Sequence, residues 1–370
     1  MATSASTIDN AHMQAALGLA RRGLGGVWPN PAVGCVLVNG TRVVGRGWTA
    51  VGGRPHAETI ALAQAGAAAA GATAFVTLEP CSHHGKTAPC ADALIAAGVK
   101  RVVVAIEDPD PRVSGRGMER LRQAGLSVEL GCGVEAAAEI NAGFFRRIVD
   151  GRPLVTLKIA SSLDGRIATH TGESQWITGG AARAAGHRLR AESDAIMVGS
   201  GTVMADNPQL TCRLPGLEDR SPIRLVVDGH LRLPLTSKIV VTAARHPTWL
   251  ITQVGNNPER LQAYADCGVQ VIEVPAAKGG KLDLPSTFLE LGRRGLTRVL
   301  VEGGAHFAAA LLRQNLVDRL AWFRAPLMLG GDALPAAVSF GVDRLDAAPR
   351  FKRLSIAELG DDLFEYLARE

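Results

Sequence analysis

Residues 56–90 read HAETIALAQAGAAAAGATAFVTLEPCSHHGKTAPC, and the rest of the chain is interpreted outward from them. His56, Cys81 and Cys90 offer one imidazole and two thiolates, a donor set suited to Zn²⁺; three protein ligands leave a fourth position for water. Glu58 stands two residues after His56. It is placed to carry protons beside a metal rather than to bind it. Pro55 precedes the pair and favours the first turn of a helix. Pro89-Cys90 opens a second helical pattern, ADALIAAG, and a helix N-terminus favours the thiolate. Each signal has a plainer reading. A lone histidine here can be a capping residue, and a lone glutamate a first-turn acid. Together they predict a zinc site. His83 and His84 lie between the cysteines as rival nitrogen donors, or as substrate-facing or structural residues.

Around this stretch the first half alternates short apolar strands with helices. His12–Arg22 places Met13, Ala16, Leu17 and Ala20 on one helical face. AVGCVLV-NG-TRVVGRGW predicts a hairpin, with Asn39-Gly40 as a tight I′ turn. Asn30 in WPNP is either a turn residue or an amide aimed at a base edge. TAFVTLE, RVVVAIE and LSVEL read as strands; GMERLRQAG and residues 135–148 read as helices. The alternation predicts a sheet covered on both faces.

The 370 residues are long for one core and predict two domains, 1–150 and 151–370, divided near the polar stretch RRIVDGRP. The formal charge of +5 is modest and its basic residues are dispersed, which is weak evidence for nucleic-acid binding and fits small phosphorylated ligands equally well. No run approaches the ~18 apolar residues of a membrane span. Six scattered cysteines and no export signal make a reducing cytoplasm the expected compartment.

After Pro153 the α/β pattern restarts with LVTLKIA, and Asp164-Gly165 marks a turn. DAIMVGSG, RLVVDG, TWLIT and VQVIEV are further strands; DRLAWFRAPLML and DLFEYLA read as antiparallel strands that finish the sheet. In RVLVEGGAHFAAALLRQ a buried strand meets two glycines and a helix. That junction is either a tight turn or a place where phosphate meets free N–H groups. It lacks the G-x-G-x-x-G fingerprint.

A His, Glu and two Cys in this order also occur in zinc deaminases of nucleobases, whose cysteines are usually spaced C-x-x-C rather than C-x₈-C. The whole pattern resembles the bifunctional deaminase–reductases of bacterial riboflavin biosynthesis. In the first half the likeness rests on PNPAVGCVLV, HAE and TLEPCSHHGKTAPC, whose long cysteine spacing is that family's form. In the second it rests on LKIASSLDGRIA, GESQWIT, DAIMVGSGTVMADNPQLTCR and VEGG. The resemblance implies an α/β protein: a cytidine-deaminase-like αβα domain, then a dihydrofolate-reductase-like α/β domain. It implies zinc-dependent hydrolytic deamination of diaminohydroxyphosphoribosylaminopyrimidine, then NADPH-dependent reduction of the product's ribosyl group to ribityl.

By the same resemblance, His56, Cys81 and Cys90 hold one Zn²⁺ and Glu58 is catalytic. Ala160, Trp176, Thr202, Asp206, Gly304, Ala305, His306 and Phe307 contact NADPH. Ser174, Arg190, Leu210, Arg213 and Glu302 hold the substrate, the arginines being suited to its phosphate. Lys158 either polarises the sugar or forms a structural ion pair. Three positions depart from the family pattern: Gly229 replaces a hydroxyl residue, Asp110 an asparagine, and Lys86 an arginine. A small phosphoribosylated pyrimidine is the implied partner, with no nucleic acid and no membrane, in a homo-oligomer (dimer or tetramer) joined through its reductase domains. Two other readings compete: a nucleic-acid base deaminase with an unrelated C-terminal domain, and a non-catalytic zinc-stabilised binding module closed by His83 or His84.

Overall fold

The computed structural model describes residues 7–83, 88–277 and 279–370; His84 and Lys86 lie outside them. The chain forms two compact units that divide between Gly151 and Arg152.

In the first unit, helix α1 (Thr7–Arg21) leads into strands β1 (Gly34–Asn39) and β2 (Arg42–Trp48). Then follow α2 (Ala57–Ala65), β3 (Thr73–Val76), α3 (Cys90–Ala96), β4 (Arg101–Val104), α4 (Arg116–Gln123), β5 (Ser127–Leu130) and α5 (Val134–Asp150). The sheet runs β2-β1-β3-β4-β5. β1 is antiparallel to both β2 and β3, whereas β3, β4 and β5 are parallel. Side chains alternate across it, as strand geometry requires. Cys35, Leu37, Ala74, Val76, Val102 and Val104 meet α2, α3 and α4 on one face. Val36, Val38, Phe75 and Val103 meet α1 and α5 on the other.

The hairpin turn differs from expectation. Asn39 pairs with Arg42, so Gly40 and Thr41 form the loop. Only Gly40 takes a positive φ, 58°, as glycine does at the first central position of a II′ turn. Asn39 is withdrawn because its amide donates to the carbonyls of Ala68 and Ala70, both at 3.0 Å.

The second unit contains β6 (Leu154–Ser161), β7 (Arg166–Ala168), α6 (Gly180–Ala191), β8 (Ala195–Gly199), α7 (Ser200–Asp206), β9 (Ile223–Val227), α8 (Lys238–Val241) and β10 (Thr248–Gln253). It continues with α9 (Pro258–Asp266), β11 (Gln270–Val274), α10 (Leu284–Arg293), β12 (Arg298–Val301), α11 (Ala305–Arg313), β13 (Arg319–Arg324), β14 (Leu334–Pro335), β15 (Phe351–Leu359) and β16 (Asp362–Arg369). Nine strands form one sheet in the order β11-β10-β9-β8-β12-β6-β13-β16-β15. The strands from β11 to β13 are parallel. β13 and β16 are antiparallel to each other as expected, and β15 adds an unforeseen edge strand. The C-terminal ends of β9, β8, β12 and β6 therefore lie side by side, where open α/β sheets bind ligands.

Candidate active sites

In the first unit His56 is the N-cap of α2, Cys90 opens α3, and Cys81 lies in the loop after β3. Two glycines of β2 let α2 approach closely. A Cβ on Gly47 would come within 2.1 Å of the Ala57 carbonyl oxygen, and one on Gly45 within 2.2 Å of that of Ala61. Glu79 sets the other side. Its buried carboxylate accepts the backbone N–H groups of Gly115 at 2.9 Å, Gly117 at 2.8 Å and Met118 at 3.2 Å, which ties the chain before Cys81 to the start of α4.

The three donors converge. His56 Nδ1 is 3.2 Å from Cys90 Sγ and 3.7 Å from Cys81 Sγ, and the Cys90 N–H points at Cys81 Sγ, 3.3 Å away. All three ligand atoms lie within 4.8 Å of one another. Bonds of about 2.3 Å to sulfur and 2.0 Å to nitrogen in a tetrahedral centre set donors about 3.5–3.8 Å apart. The residues fit zinc. Cys81 is pulled down to about 4 by its hydrogen bonding with Cys90 and His56, while Cys90 is pushed up by sharing its proton with Cys81 and by burial. One thiolate is thus favoured by geometry alone.

Glu58 is only 3% exposed and faces this centre. Burial, then the negative charge at Cys81, pushes its carboxyl up to about 7, a value matched to proton transfer near neutrality. Among the described residues, the cluster able to hold a metal comprises His56, Cys81 and Cys90; His83 does not join it. His83 Nδ1 is instead buried without a hydrogen-bond partner. Close by, Asp110 accepts Arg112 Nε at 3.0 Å, and hydrogen bonding to that guanidinium holds its carboxyl below the usual range, which keeps it ionised. An asparagine would not retain the cation in this way. Asp108 is pushed up to about 6, mainly by burial.

The second unit holds a cavity of about 1270 Å³ at the strand ends. All eight residues expected to contact a dinucleotide line it: Ala160, Trp176, Thr202, Asp206, Gly304, Ala305, His306 and Phe307. Helix α11 begins at the cavity with Gly304 as N-cap and no side-chain cap, so its opening turn presents backbone N–H groups. A Cβ on Gly303 would lie 2.6 Å from the Phe307 ring, so any larger residue there would have to displace that ring. A cavity this large exceeds the roughly 300–1,000 Å³ of an ordinary single-ligand pocket. Its volume leaves room for more than one small molecule.

Of the residues expected to hold substrate, Ser174 and Glu302 line this cavity; Arg190, Leu210 and Arg213 are not among its lining residues. Arg190 instead grips Glu302, and its Nη1 donates to the Thr211 carbonyl at 2.9 Å. Leu210 is buried in the core with Val203 and Val226 at φ 55°, which commits its side chain to packing. Arg213 is exposed. Lys158 Nζ lies 3.8 Å from Glu302 Oε2, which favours the ion-pair reading of that residue.

The sequence reading missed His187, Arg183 and Arg232. His187 Nδ1 accepts the Arg213 N–H at 3.2 Å. The Arg183 guanidinium sits 4.8 Å from the centre of the exposed Trp176 ring. Arg232 lines the cavity with Lys281 and Arg313. A basic residue shortly after a strand end, as in VVDGHLR, was the available signal for Arg232.

Residues 6–106 match the family model described as cytidine and deoxycytidylate deaminase zinc-binding region, and residues 153–364 match the RibD C-terminal domain. The riboflavin biosynthesis protein RibD of Escherichia coli (strain K12) is 43% identical over 370 residues, covering 97% of this chain and 99% of that relative. That of Aquifex aeolicus (strain VF5) is 40% identical over 362 residues, covering 98% and 99%. Among solved structures, Acinetobacter baumannii RibD, form 1, superposes with a TM-score of 0.87 at 40% identity, covering 98% of this chain and 99% of that one. A deaminase/reductase from Thermotoga maritima gives 0.85 at 33% identity, with 98% and 99% covered. The cytidine-deaminase-like and dihydrofolate-reductase-like α/β folds are both present. No described helix is long and apolar enough to cross a membrane. A reductase-type second half removes the reading of an unrelated C-terminal domain, and likeness to an enzyme along both units removes that of a mere binding module. Two domain matches in this order, with near-complete coverage in both directions, lead to one conclusion: the chain belongs to the RibD family, the bifunctional deaminase–reductases of riboflavin biosynthesis.

Proposed function

We propose that residues 1–150 deaminate diaminohydroxyphosphoribosylaminopyrimidine and that residues 151–370 reduce the ribosyl group of the product with NADPH. The observation that carries this reading is the convergence of His56, Cys81 and Cys90 beside the buried Glu58.

One Zn²⁺ held by His56, Cys81 and Cys90 would acidify water enough to supply hydroxide near neutral pH. Glu58, already poised near 7, takes a proton from water, delivers it to the ring nitrogen and assists the departing ammonia. Its burial keeps that proton from bulk solvent.

In the second unit NADPH would supply hydride to the sugar carbon. Ala160, Trp176, Thr202, Asp206 and residues Gly304–Phe307 hold the dinucleotide, with the uncapped start of α11 facing its phosphates. Ser174 and Glu302 face the sugar, the Leu210 backbone borders it, and Arg213 takes its phosphate. Arg190 serves by holding Glu302 in place. Rate in this step comes chiefly from setting donor and acceptor side by side, a contribution of up to about 7–11 kcal/mol in favourable cases. The protein works in the cytoplasm as a homo-oligomer joined through its reductase units.

Incubation of purified protein with the pyrimidine, with and without NADPH, tests the scheme. Ammonia release without NADPH, and NADPH oxidation only after deamination, are expected. NADPH oxidation that precedes ammonia release would reverse the order and defeat it.

A further inference from the structure

Residues 169–179 connect β7 to α6, and Gly172, Ser174, Gln175, Trp176, Ile177 and Thr178 of this segment line the cavity. Both of its ends are tied down. At the start the Thr169 N–H donates to the Glu173 carbonyl at 2.9 Å, and the Glu173 N–H donates to Thr169 Oγ1 at 3.1 Å. At the end the Gly179 N–H donates to Oδ2 of the buried Asp362 at 2.7 Å.

Trp176 stands between these anchors with 68% of its surface exposed, and among the described residues its indole N–H has no hydrogen-bond partner. A tryptophan this open has apolar area to cover and, by itself, freedom to turn. A cation restrains it. Arg183, in the first turn of α6, brings its guanidinium carbon to 4.8 Å from the ring centre, within the range of a cation–π contact. Its Nη1 also donates to the Thr178 carbonyl at 2.7 Å. Among the described residues no carboxylate pairs with Arg183, so its charge is spent on that carbonyl and on the indole. A planar guanidinium can do both at once, stacking with its face while it donates along its edge; an ammonium cannot.

We propose that Arg183 is a positioning residue for the reduction: by bonding the Thr178 carbonyl and covering one face of Trp176, it presents the rest of that ring to the dinucleotide. The inference rests on the reading that the cavity holds NADPH. Its physical basis is preorganisation, since a ring already fixed loses less freedom when the ligand arrives. Arg183 acts through Trp176 and does not itself hold the ligand.

A double-mutant cycle on the full-length protein tests this, read as NADPH affinity by calorimetry and as reductase kinetics. Arg183→Met keeps the stem and removes the guanidinium. It should raise Kd and KM for NADPH by about five-fold or more, with kcat within about three-fold and KM for the deaminated pyrimidine within about two-fold. Trp176→Leu should weaken NADPH at least as much, and adding Arg183→Met to it should cost less than about two-fold more, because no ring is left to hold. Arg183→Lys should fall between wild type and Arg183→Met. Arg188, with a 66% exposed side chain on the same helix, is the control: Arg188→Met should leave NADPH affinity within about two-fold. If Arg183→Met folds poorly, as judged by its melting temperature, Arg183→Lys with and without Trp176→Leu carries the cycle. Equal losses with and without the indole overturn the proposal, because the cation would then act on the ligand directly or on the fold. Unchanged NADPH affinity in Arg183→Met overturns it too. Wild-type protein that binds no NADPH overturns the reading of the cavity instead.

Discussion

Arg190 and Glu302 meet through two parallel hydrogen bonds, Nε to Oε1 at 2.8 Å and Nη2 to Oε2 at 2.9 Å, joining α6 to the end of β12. Burial alone would push Glu302 up, but Arg190 and Lys158 outweigh it and hold the carboxyl at about 2. A carboxylate held below its ordinary value stabilises the fold fully above that value, and the contribution disappears as pH falls through the folded one. For Glu302 the loss spans roughly pH 4.5 to 2, and the contribution is on the order of 3 kcal/mol. Glu302→Gln should therefore show its largest stability deficit at pH 7, with a smaller gap at pH 3. Denaturant unfolding at both pH values checks this; a constant gap would contradict it. Arg190→Met should cost about 3 kcal/mol, because it leaves the buried carboxylate with Lys158, 3.8 Å away, as its remaining counter-ion and without its two hydrogen bonds.

The metal centre and its proton carrier are separable. Glu58→Gln should retain zinc, since Glu58 lies outside the ligand cluster. Deaminase turnover should fall at least 10³-fold, within the range of about 10²–10⁴ for lost acid–base catalysis. Reduction of pre-deaminated substrate should be untouched. Metal analysis and the two half-reactions, measured separately, decide the matter. Chelation of the metal in the wild type should likewise silence deamination and spare reduction. Ordinary deamination by Glu58→Gln would remove the residue from the mechanism.

Gly47→Ala tests how β2 places the centre. The added Cβ would meet the Ala57 carbonyl at 2.1 Å, and backbone cannot yield as a flexible side chain does. The first turn of α2 must move, taking His56 and Glu58 with it. A loss of about 1–3 kcal/mol is expected, as in other overpacked cores, together with weaker zinc retention. Gly40→Ala, on the open hairpin turn, should leave the metal alone.

Donor chemistry made the zinc centre legible: few residue types bind zinc, and His56, Cys81 and Cys90 are near enough in sequence to be read together. Strand periodicity made the first sheet legible in the same way. Long-range order was not. β12 lies between β6 and β8, separated from β6 by well over a hundred residues, so no local pattern announces that Glu302 meets Arg190. Asn39 misled for a related reason. Turn chemistry placed it in the hairpin loop, but two distant carbonyls hold its amide. Arg224 is a further case. It is buried at 1% exposure and bonded to Thr248, Thr242 and three carbonyls, a role that only the tertiary structure reveals.

His187 and Arg190 stand nearly one turn apart on α6 and hold one segment between them. Arg190 binds the Thr211 carbonyl, and His187 Nδ1 accepts the Arg213 N–H. Only a neutral imidazole can accept there. Burial, then the charges of Arg190 and Arg213, lower His187 to about 4; Lys158 acts in the same direction and Glu302 against it. The unfolded chain takes up this proton below about pH 6.5, while the folded chain declines it until about 4. His187 therefore makes the fold progressively less stable as pH drops from 6.5 to 4, and has no such effect above that range. His187→Asn keeps an acceptor but does not titrate, so its stability should fall less than that of the wild type over this window. His187→Leu should lose the clamp at every pH and raise the KM for phosphorylated substrate more than it lowers kcat, through Arg213. Unfolding free energies between pH 4.5 and 8, with reductase kinetics at pH 7.5, provide the measurement. Parallel profiles for wild type and His187→Asn would show that the imidazole is not what titrates.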